Sequence, residues 1–399
     1  MSDSVPNVLM VTGAYFPEAS GAGLQCRALI RACGRRARFE VLTTAIDENL
    51  PADDSVDDVP VHRVHVSATS RPARVLALPR LATTATAAVR RADVVHLHGF
   101  SSKSRVVMAI ARRLGRPVAI KLTSAGHDDA VSMKQAGGAA WRAFRRADRF
   151  IGISPRFETA HREALLPAPA FRFIPNGVDT EQFRPAAPAE RAHLRRELGL
   201  PLEGLIVLVV GFFSREKRPH VAFEAWAAAT QAGLGRMSPP SSILFVGRTT
   251  SPYHEIDPGI ARGIRDEAMR LGCGDRVTMI EQTDAIERFY RAADVFMLPS
   301  TREGLPNVLL EAMASGLACI VSRLPGVTDW LIDDGRSGAL VDPEDPAGYA
   351  GALTLVAGDA GARARLGAEA RRTIAARFSL ERTATAHLAL YEELRGMRR

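Results

Sequence analysis

Short runs of apolar residues alternate with longer helical stretches along almost the whole chain. Many of these runs are continuous rather than alternating in polarity, as expected of strands buried on both faces of a sheet. Strands that are separated by helices pair in parallel, so the sequence predicts an α/β protein with doubly wound parallel sheets. The candidate strands lie at 8–12, 39–43, 61–64, 93–97, 118–122, 149–153, 205–210, 243–246, 277–280, 295–298 and 319–321. The candidate helices lie at 23–33, 101–114, 217–229, 262–271 and 306–314.

A break in this pattern divides the chain near residues 180–200. Pro175-Asn176-Gly177 is typical of a turn, because Asn and Gly tolerate positive φ and Pro ends a helix. A chain of 399 residues also exceeds one ordinary hydrophobic core. We expect two Rossmann-like domains that face each other across a cleft, residues 1–185 and 186–399. A final amphipathic helix at about 380–395 is expected to pack back on the first domain.

Composition and charge narrow the class of protein. Hydrophobic residues make up 46% of the chain and charged residues 24%, which is typical of a soluble globular protein. The start of the chain lacks the pattern of a secretory signal, so we expect the cytoplasm. The net charge of +8 suits an anionic substrate, nucleic acid or an anionic membrane face as the binding partner. Without a zinc-finger or aromatic RNA-binding motif we expect no nucleic-acid partner, and without a CxxC pair no metal.

Two glutamates mark the strongest candidate site. Glu303 and Glu311 have seven residues between them and follow a predicted strand. Pro306 suits the first turn of a helix, so Glu303 is expected in the loop and Glu311 inside the helix. The backbone N–H groups of Asn307 and Val308 would then face an anion such as a diphosphate, while the second carboxylate accepts from ribose hydroxyls. A capped helix with two solvated glutamates is the simpler alternative.

A second candidate site follows the most apolar predicted strand. There Gly211 leads into a turn that carries Arg215 and Lys217. Open α/β sheets bind their ligands at the carboxyl ends of the strands. A pair of cations at that edge can stabilise a departing diphosphate, a task that other enzymes give to a metal ion. The same residues also fit a surface turn with two solvated cations.

These segments together resemble a known enzyme family. The run from Glu303 to Glu311, followed by Ala-Met-Ala-Ser-Gly, resembles the E-x7-E signature of the retaining glycosyltransferases of family 4, which have the GT-B fold. ADRFIGIS at 147–154, IPNGVD at 174–179 and ADVFMLPS at 293–300 are similar to family segments in the same order. The resemblance extends over most of the chain from Asp148 onward.

The resemblance implies the retaining transfer of a sugar from a UDP- or GDP-sugar to a glycan, lipid-linked or small-molecule acceptor, in glycoconjugate or polysaccharide biosynthesis. It implies that Lys217 and a nearby Arg contact the donor phosphates, that Glu311 holds the ribose, and that Glu303 contacts the donor sugar. No metal or other cofactor is required. The donor-binding backbone is expected at Gly211 and at Leu305, Pro306, Asn307 and Val308.

The chain departs from the family pattern in three places. Phe212 stands where the family commonly has Arg, and we infer that Arg215 provides that cation. Thr and Ser at 123–124 replace a His-Gly pair, and His127 is a candidate substitute for the missing His. After Gly247 the chain runs Arg-Thr-Thr-Ser-Pro-Tyr-His at 248–254 instead of Asp-Gly, which leaves the donor base and sugar open.

The first half of the chain offers fewer signals. Gly21, Ala22 and Gly23 end a loop after the first predicted strand. They match the family's glycine loop near the donor diphosphate and the acceptor, although a flexible surface turn is the alternative. Two histidines at 96 and 98 without a third ligand favour metal binding only weakly. We expect His98 to line the cleft on the acceptor side and His96 to be a structural histidine with satisfied hydrogen bonds. His127 and Asp128 are further acceptor-side candidates, with solvated loop residues as the alternative.

A basic amphipathic segment at 134–149 contains Arg142, Arg145 and Arg146 among aromatic residues. Such a segment can lie on an anionic membrane, which makes peripheral contact with the inner face of the membrane an open hypothesis. The simpler interpretation is a helix with its apolar face in the core and a solvated basic face.

Other functions remain open at this level. A sugar-nucleotide epimerase of the same two-domain architecture would need no acceptor. A dinucleotide-dependent oxidoreductase would need a GxGxxG fingerprint that the first glycine segment lacks. Glu303, Glu311 and Lys217 argue against a silent binding protein.

Overall fold

The computed structural model describes residues 5–18, 20–67, 70–233, 240–250 and 256–397, and the chain forms two compact units. Unit 1 comprises Met1–Gly177 and Leu380–Arg399, and unit 2 comprises Val178–Ser379. The division lies before position 185 because the connecting segment contacts unit 2. There the Arg371 guanidinium donates to the carbonyls of Phe183 at 3.1 Å and Thr180 at 3.2 Å.

The sheet of unit 1 has eight strands within the described residues, in the order β3-β4-β2-β1-β5-β6-β7-β8. Its strands are β1 (Asn7–Thr12), β2 (Arg38–Ala45), β3 (Asp53–Val56), β4 (Val59–His65), β5 (Val94–His98), β6 (Val118–Lys121), β7 (Arg149–Gly152) and β8 (Phe171–Phe173). The neighbours pair in parallel except β3, which pairs antiparallel with β4. Asp57 and Asp58 join β3 to β4 at φ 53° and 62°, the left-handed conformation of a two-residue hairpin turn.

Helices cover this sheet, and they include the two that the sequence predicted at 23–33 and 101–114. They are α1 (Gly21–Cys33), α2 (Arg71–Leu76), α3 (Leu78–Arg91), α4 (Ser102–Arg113), α5 (Ala130–Ala136), α6 (Gly138–Phe144) and α7 (Pro155–Glu163), and α16 (Leu380–Gly396) at the end of the chain. The last helix packs against α1 and against β5, so unit 1 contains both ends of the chain. The basic segment at 134–149 is divided between α5 and α6, because Gly137 and Gly138 adopt φ 62° and 57° and end the first helix.

The sheet of unit 2 has six strands among the described residues, in the order β11-β10-β9-β12-β13-β14, all parallel. They are β9 (Ile206–Val210), β10 (Ser242–Val246), β11 (Val277–Ile280), β12 (Val295–Leu298), β13 (Ala318–Ser322) and β14 (Ala339–Val341). The helices of unit 2 are α8 (Pro188–Glu197), α9 (Pro219–Ala232), α10 (Pro258–Arg270), α11 (Ile286–Ala292), α12 (Asn307–Ala314), α13 (Thr328–Leu331), α14 (Pro346–Gly358) and α15 (Ala360–Arg377). The prediction of two doubly wound α/β sheets is confirmed.

Each unit has its own hydrophobic core. In unit 1 the strands pack against Tyr391 and Leu394 of the final helix. In unit 2 they pack against Trp226 and its neighbours on α9, and against Tyr349 on α14. Over the described part of the chain, every helix is too short or too polar to cross a membrane.

An aspartate comes directly before three of the strands and pairs with the adjacent parallel strand. In each case its backbone N–H donates to the carbonyl of the neighbouring strand's first residue, and its carboxylate accepts from that residue's N–H. The pairs, with the two distances in this order, are Asp93 with Asn7 (2.7 and 3.0 Å), Asp148 with Val118 (2.9 and 2.8 Å) and Asp294 with Ile206 (3.0 and 2.8 Å). The three aspartates therefore set where β1, β6 and β9 begin.

Asp294 has a further role, because it also neutralises two arginines of α8. Its carboxylate accepts from Arg195 Nη2 at 2.7 Å and from Arg191 Nη1 at 2.8 Å. Arg195 is 4% exposed, and its Nε donates to the carbonyl of Ala292 at 2.9 Å. A buried guanidinium needs such a counter-charge, so Asp294 stabilises both the sheet and the packing of α8.

We expect Asp294→Ala to lower the free energy of unfolding of unit 2 by about 3–5 kcal/mol, because it leaves the Arg195 charge buried and unpaired. Asp148→Ala removes the matched bond to a strand N–H in unit 1 and should cost only about 1–2 kcal/mol. Urea unfolding followed by tryptophan fluorescence can measure both, since Trp226 and Trp330 belong to unit 2 and Trp141 to unit 1. Equal losses in the two variants would contradict the added role of Asp294.

Candidate functional site

The two predicted site segments of unit 2 follow neighbouring strands. Because β9 and β12 are adjacent and parallel, the loops after them lie side by side at the carboxyl edge of the sheet. The Thr301 N–H donates to the carbonyl of Glu216 at 2.9 Å. Arg302 Nη2 also contacts both carboxylate oxygens of Glu216, at 2.5 and 2.7 Å. The two loops are therefore held together by direct bonds.

Lys217 and Glu303 meet across these two loops. Lys217 Nζ donates to Glu303 Oε1 at 2.7 Å and to Oε2 at 2.8 Å. The side chain of Glu303 is only 7% exposed, whereas that of Lys217 is 32% exposed. The backbone N–H of Lys217 donates to Ser214 Oγ at 3.2 Å, which fixes the turn that carries it. A nearly buried carboxylate thus holds a cation that still faces solvent.

Glycines allow the strand ends beside this pair to approach closely. Gly211 donates its N–H to the carbonyl of Val246 at 3.0 Å, at the end of the adjacent strand β10. A Cβ on Gly247 would lie 2.0 Å from the carbonyl oxygen of Gly211. A side chain at 247 would therefore push apart the ends of β9 and β10 and move the loop that carries Lys217.

Helix α12 begins at Asn307, one residue later than predicted, with Pro306 as the N-cap residue. The carbonyl of Pro306 accepts from the N–H groups of Leu309 at 3.1 Å and Leu310 at 3.3 Å. Leu305 and Pro306 are buried, so the chain enters the helix from the interior of the unit. The N–H groups of Asn307 and Val308 lie at the positive end of the helix dipole, where an anion is stabilised.

Glu311 lies in the second turn of α12 and is half-buried. Its Oε2 accepts a hydrogen bond from the hydroxyl of Tyr290 at 2.9 Å. Removal from water raises the pKa of Glu311 to about 7, the Tyr290 bond opposes this shift, and the like charge of Glu287 adds to it. Glu303 and Glu311 therefore have different partners, a cation for the first and a phenol for the second.

The structure does not bring Arg215 to this pair. Its side chain is 88% exposed, and its Nε lies 3.3 Å from Asp257 Oδ2. Asp257 is the N-cap residue of α10, and its carboxylate accepts from the N–H of Gly259. Arg215 therefore contacts the start of α10, where the loop after β10 ends, and not Glu303.

The segment after β10, where the chain departs from the family pattern, is described only up to residue 250. Arg248 Nη2 donates to Gln282 Oε1 at 2.8 Å, and the Thr249 N–H donates to Glu281 Oε2 at 2.8 Å. These contacts tie the ends of β10 and β11 together. Ser, Pro, Tyr and His at 251–254 lie outside the described residues.

In unit 1 the segment Gly21, Ala22 and Gly23 forms the first turn of α1, not the end of a loop as expected. Ser20 caps this helix, and its Oγ accepts from the Gly23 N–H at 3.1 Å. A Cβ on Gly23 would lie 2.5 Å from the carbonyl oxygen of Ala14. Close packing between the helix start and the loop after β1 accounts for this glycine.

His98 is buried rather than presented on the surface of unit 1. It is 5% exposed, and neither of its ring nitrogens has a hydrogen-bond partner among the described residues. Its ring lies 4.3 Å from that of His96, whose Nδ1 is 2.8 Å from the Tyr391 hydroxyl on α16. Burial holds the pKa of both histidines well below its usual value. Burial also lowers the pKa of neighbouring Lys121 to about 8.

His127 and Asp128 lie in the loop after β6, but only His127 is exposed. The Asp128 carboxylate accepts from the N–H and hydroxyl of Thr123 and from the Ser124 N–H, the shortest at 2.7 Å. Burial raises the pKa of Asp128 despite these donors. Its carboxylate is thus engaged in holding the loop in shape. Within the described residues, no three His, Cys, Asp or Glu side chains are arranged to hold a metal ion.

Sequence reasoning did not identify Tyr290 as part of the site. It lies on α11, 21 positions before Glu311, in a segment without a motif. Only the packing of α11 against α12 brings the two residues together. The Arg302–Glu216 bond was also missed, because it forms only when the loops after β9 and β12 lie side by side.

Two family models match the chain in succession. The model described as "Glycosyl transferase 4-like domain" matches residues 20–177. The model described as "Glycosyl transferases group 1" matches residues 190–373, which contain both glutamates and Lys217.

The chain is also similar to D-inositol 3-phosphate glycosyltransferases. It is 36% identical to that of Acidothermus cellulolyticus over 232 residues, 57% of this chain and 49% of the relative. It is 34% identical to that of Salinispora arenicola, over 54% of this chain and 48% of the relative. The chain thus spans about half the length of the curated relatives that it matches.

Two solved structures share the fold over almost the whole chain. Sucrose-phosphate synthase from Thermosynechococcus elongatus is 24% identical with a TM-score of 0.78, over 98% of this chain and 99% of that one. Anabaena HepE, solved with UDP, is 19% identical with a TM-score of 0.75, over 97% and 100%. These two structures show the GT-B fold. The two family models, which match residues 20–177 and 190–373 in succession, show that the chain belongs to the group 1, family 4-like glycosyltransferases.

Proposed function

We propose that the chain transfers a sugar from a nucleoside-diphosphate sugar to an acceptor hydroxyl. The observation that carries the proposal is the Lys217–Glu303 pair beside the N-terminus of α12, with Glu311 one turn further on. A cation and a helix N-terminus suit a diphosphate, and a carboxylate suits the two hydroxyls of a ribose. Relatives named as glycosyltransferases and the fold shared with HepE, which was solved with UDP and with UDP-glucose, support a UDP- or GDP-sugar as the donor.

The proposed reaction breaks the bond between the sugar C1 and the diphosphate oxygen and forms a bond from C1 to the acceptor oxygen. The acceptor proton leaves with the diphosphate, and the anomeric configuration is kept because the acceptor attacks on the face that the diphosphate leaves. Lys217 and the N-terminus of α12 would stabilise the growing negative charge on the diphosphate. We therefore propose that no metal ion is needed for this step. Glu303 would contact the donor sugar and hold Lys217 at the leaving group.

The acceptor and its biological setting belong to the proposal as well. A glycan, a lipid-linked sugar or a small molecule such as a cyclitol phosphate fits the reaction, since the curated relatives are D-inositol 3-phosphate glycosyltransferases. A role in glycoconjugate or polysaccharide biosynthesis would follow from a glycan acceptor. A sugar-nucleotide epimerase would convert the donor without any acceptor. An assay for nucleotide release with and without acceptor therefore distinguishes the two activities.

Incubation with UDP-glucose, UDP-N-acetylglucosamine and GDP-mannose, with and without acceptor extracts, is expected to release UDP or GDP only when an acceptor is present. Lys217→Ala should lower turnover by about 100-fold, because it removes a charge that stabilises the transition state. Arg270→Ala, which removes an exposed cation from α10, should leave turnover unchanged within about twofold. No nucleotide release with any donor, or equal rates in the two variants, would contradict the proposal.

Donor affinity should fall as the pH is lowered through the pKa of Glu311, about 7. The ionised carboxylate accepts from both ribose hydroxyls, and the protonated form loses that capacity. From about pH 8 to about pH 6 the affinity for a UDP-sugar should drop roughly tenfold, as one titrating group predicts. A UDP-sugar is the right probe, because its diphosphate keeps its charge over this range. Titration calorimetry of Glu311→Gln, which cannot ionise, should give a flat profile; a profile like that of the wild type would exclude Glu311 as the cause.

We also propose that the exposed cations of the α6 region contact anionic membrane lipids. The side chains of Arg142, Arg145 and Arg146 are exposed. The ring of Trp141 stacks on that of buried Phe144, with 6.0 Å between the centroids, so the apolar face lies in the core. The segment would therefore contact a membrane through its positive charges alone. Replacing the three arginines by Gln should weaken co-sedimentation with anionic vesicles by roughly 100-fold, at about 1 kcal/mol for each charge. The same change at exposed positions 262, 265 and 270 of α10 is the matched control. Unchanged vesicle binding of the three-arginine variant would contradict the proposed membrane contact.

A further inference from the structure

Tyr290 is the buried residue that joins the two halves of the proposed donor site. It is 0% exposed, and its hydroxyl lies 2.9 Å from Glu311 Oε2 and 3.1 Å from the carbonyl oxygen of Val308. Glu311 is the proposed ribose ligand, and Val308 belongs to the first turn of α12, the proposed diphosphate ligand. One hydroxyl of α11 therefore contacts both parts of α12 that the donor would use.

The ring of Tyr290 is fixed by packing. Phe183 lies edge-on at 5.7 Å between ring centroids, and Phe296 of β12 lies at 6.0 Å. A side chain held on two sides by aromatic rings has little freedom to turn, so its hydroxyl is a fixed point for a flexible glutamate. This placement reduces the number of orientations that the carboxylate must give up when a ligand binds.

The charges around Glu311 make this contact important. Glu287, also on α11, is a like charge that raises the pKa of Glu311, and it pairs with Arg291 at 3.8 Å. The other helix that packs on α12 is α15, whose Arg371 donates to the carbonyl of Ala314 at the far end of α12. Among the described groups that act on the ionisation of Glu311, only Tyr290 favours the ionised form.

We propose that Tyr290 is a positioning residue for nucleotide recognition, whose hydroxyl holds the Glu311 carboxylate in the orientation that the ribose of the donor requires. The inference rests on the proposed function, because it assumes that Glu311 binds the ribose. Tyr290 touches neither the sugar nor the leaving group in this scheme. Its loss should therefore change donor affinity and its pH dependence much more than turnover at saturating donor.

The decisive variant is Tyr290→Phe, which removes only the hydroxyl. At about pH 7.5 we expect the affinity for the best-binding UDP- or GDP-sugar to fall about tenfold, as for loss of a hydrogen bond to a charged group. The midpoint of the pH profile should move upward by about one unit, because a donor to the ionised form is lost. Turnover at saturating donor should stay within about twofold. Tyr349→Phe, which removes a buried hydroxyl bonded to Ser322 at 2.7 Å in the same unit, is the matched control and should shift neither quantity.

Two further variants separate positioning from simple structural support. In a Glu311→Gln background, Tyr290→Phe should cause little further loss of affinity, because the ionised partner is already gone. Glu287→Gln should move the pH midpoint downward, since it removes the like charge, and it does so without altering the buried aromatic cluster. This second variant tests whether Glu311 is the group that titrates, since it leaves the Tyr290–Glu311 bond in place.

The outcomes separate the two proposals. If the wild-type chain binds no nucleotide sugar, the proposed function fails. If it binds one with a pH midpoint near 7 but Tyr290→Phe leaves affinity and midpoint unchanged, the role of Tyr290 is wrong and the proposed function stands. An equal loss from Tyr290→Phe in the wild-type and Glu311→Gln backgrounds would likewise overturn the positioning role.

Discussion

The aspartates at the amino edges of the two sheets are the constraint on which the rest of each unit depends. Asp93, Asp148 and Asp294 each bond both backbone groups of the first residue of a neighbouring strand. A parallel pair can slip in register, and a slip of one residue turns every side chain to the opposite face. Fixing the start of a strand therefore fixes where it ends. Since the loops that carry chemistry begin at those ends, the register at one edge sets the geometry at the other.

At the carboxyl edge of unit 2, close backbone contact acts together with side-chain bonds. Gly247 leaves room for the carbonyl of Gly211, so that β9 and β10 end next to each other. The loop after β9 then reaches the loop after β12, where Glu216 accepts bonds from both Thr301 and Arg302. Lys217 and Glu303, 86 positions apart in sequence, meet as a consequence of this arrangement. Their pairing is a product of the sheet order and not of any local motif.

The sequence predicted what depends on local patterns. The continuous apolar runs located most strands to within a few residues. The boundary between units was placed at 185, although the structure divides the chain after Gly177, because residues 178–185 contact unit 2. Strand β3 was missed because its residues, Asp-Asp-Ser-Val, are polar and it is held by a hairpin turn. The break between α5 and α6 was missed because it depends on the positive φ angles of Gly137 and Gly138. Glycine can adopt either sign of φ, so its presence alone does not predict a break. The contact between Arg215 and Asp257 could not be predicted either, because the two residues are 42 positions apart and only the fold brings them together.

The two glutamates of the site show why the residue types alone could not assign roles. They lie on one short segment, yet Glu303 is bonded through both oxygens to a cation, whereas Glu311 is bonded to a phenol and lies near another carboxylate. Surroundings that differ in this way give one carboxylate a fixed charge partner and leave the other poised to titrate near neutral pH. A diphosphate at the start of α12 would add negative charge close to Glu303, so Lys217 would have to balance both. Under the proposed function, exchanging the surroundings of the two residues would place the titrating group beside the diphosphate and the lysine-paired carboxylate beside the ribose, so neither part of the proposed donor would be matched.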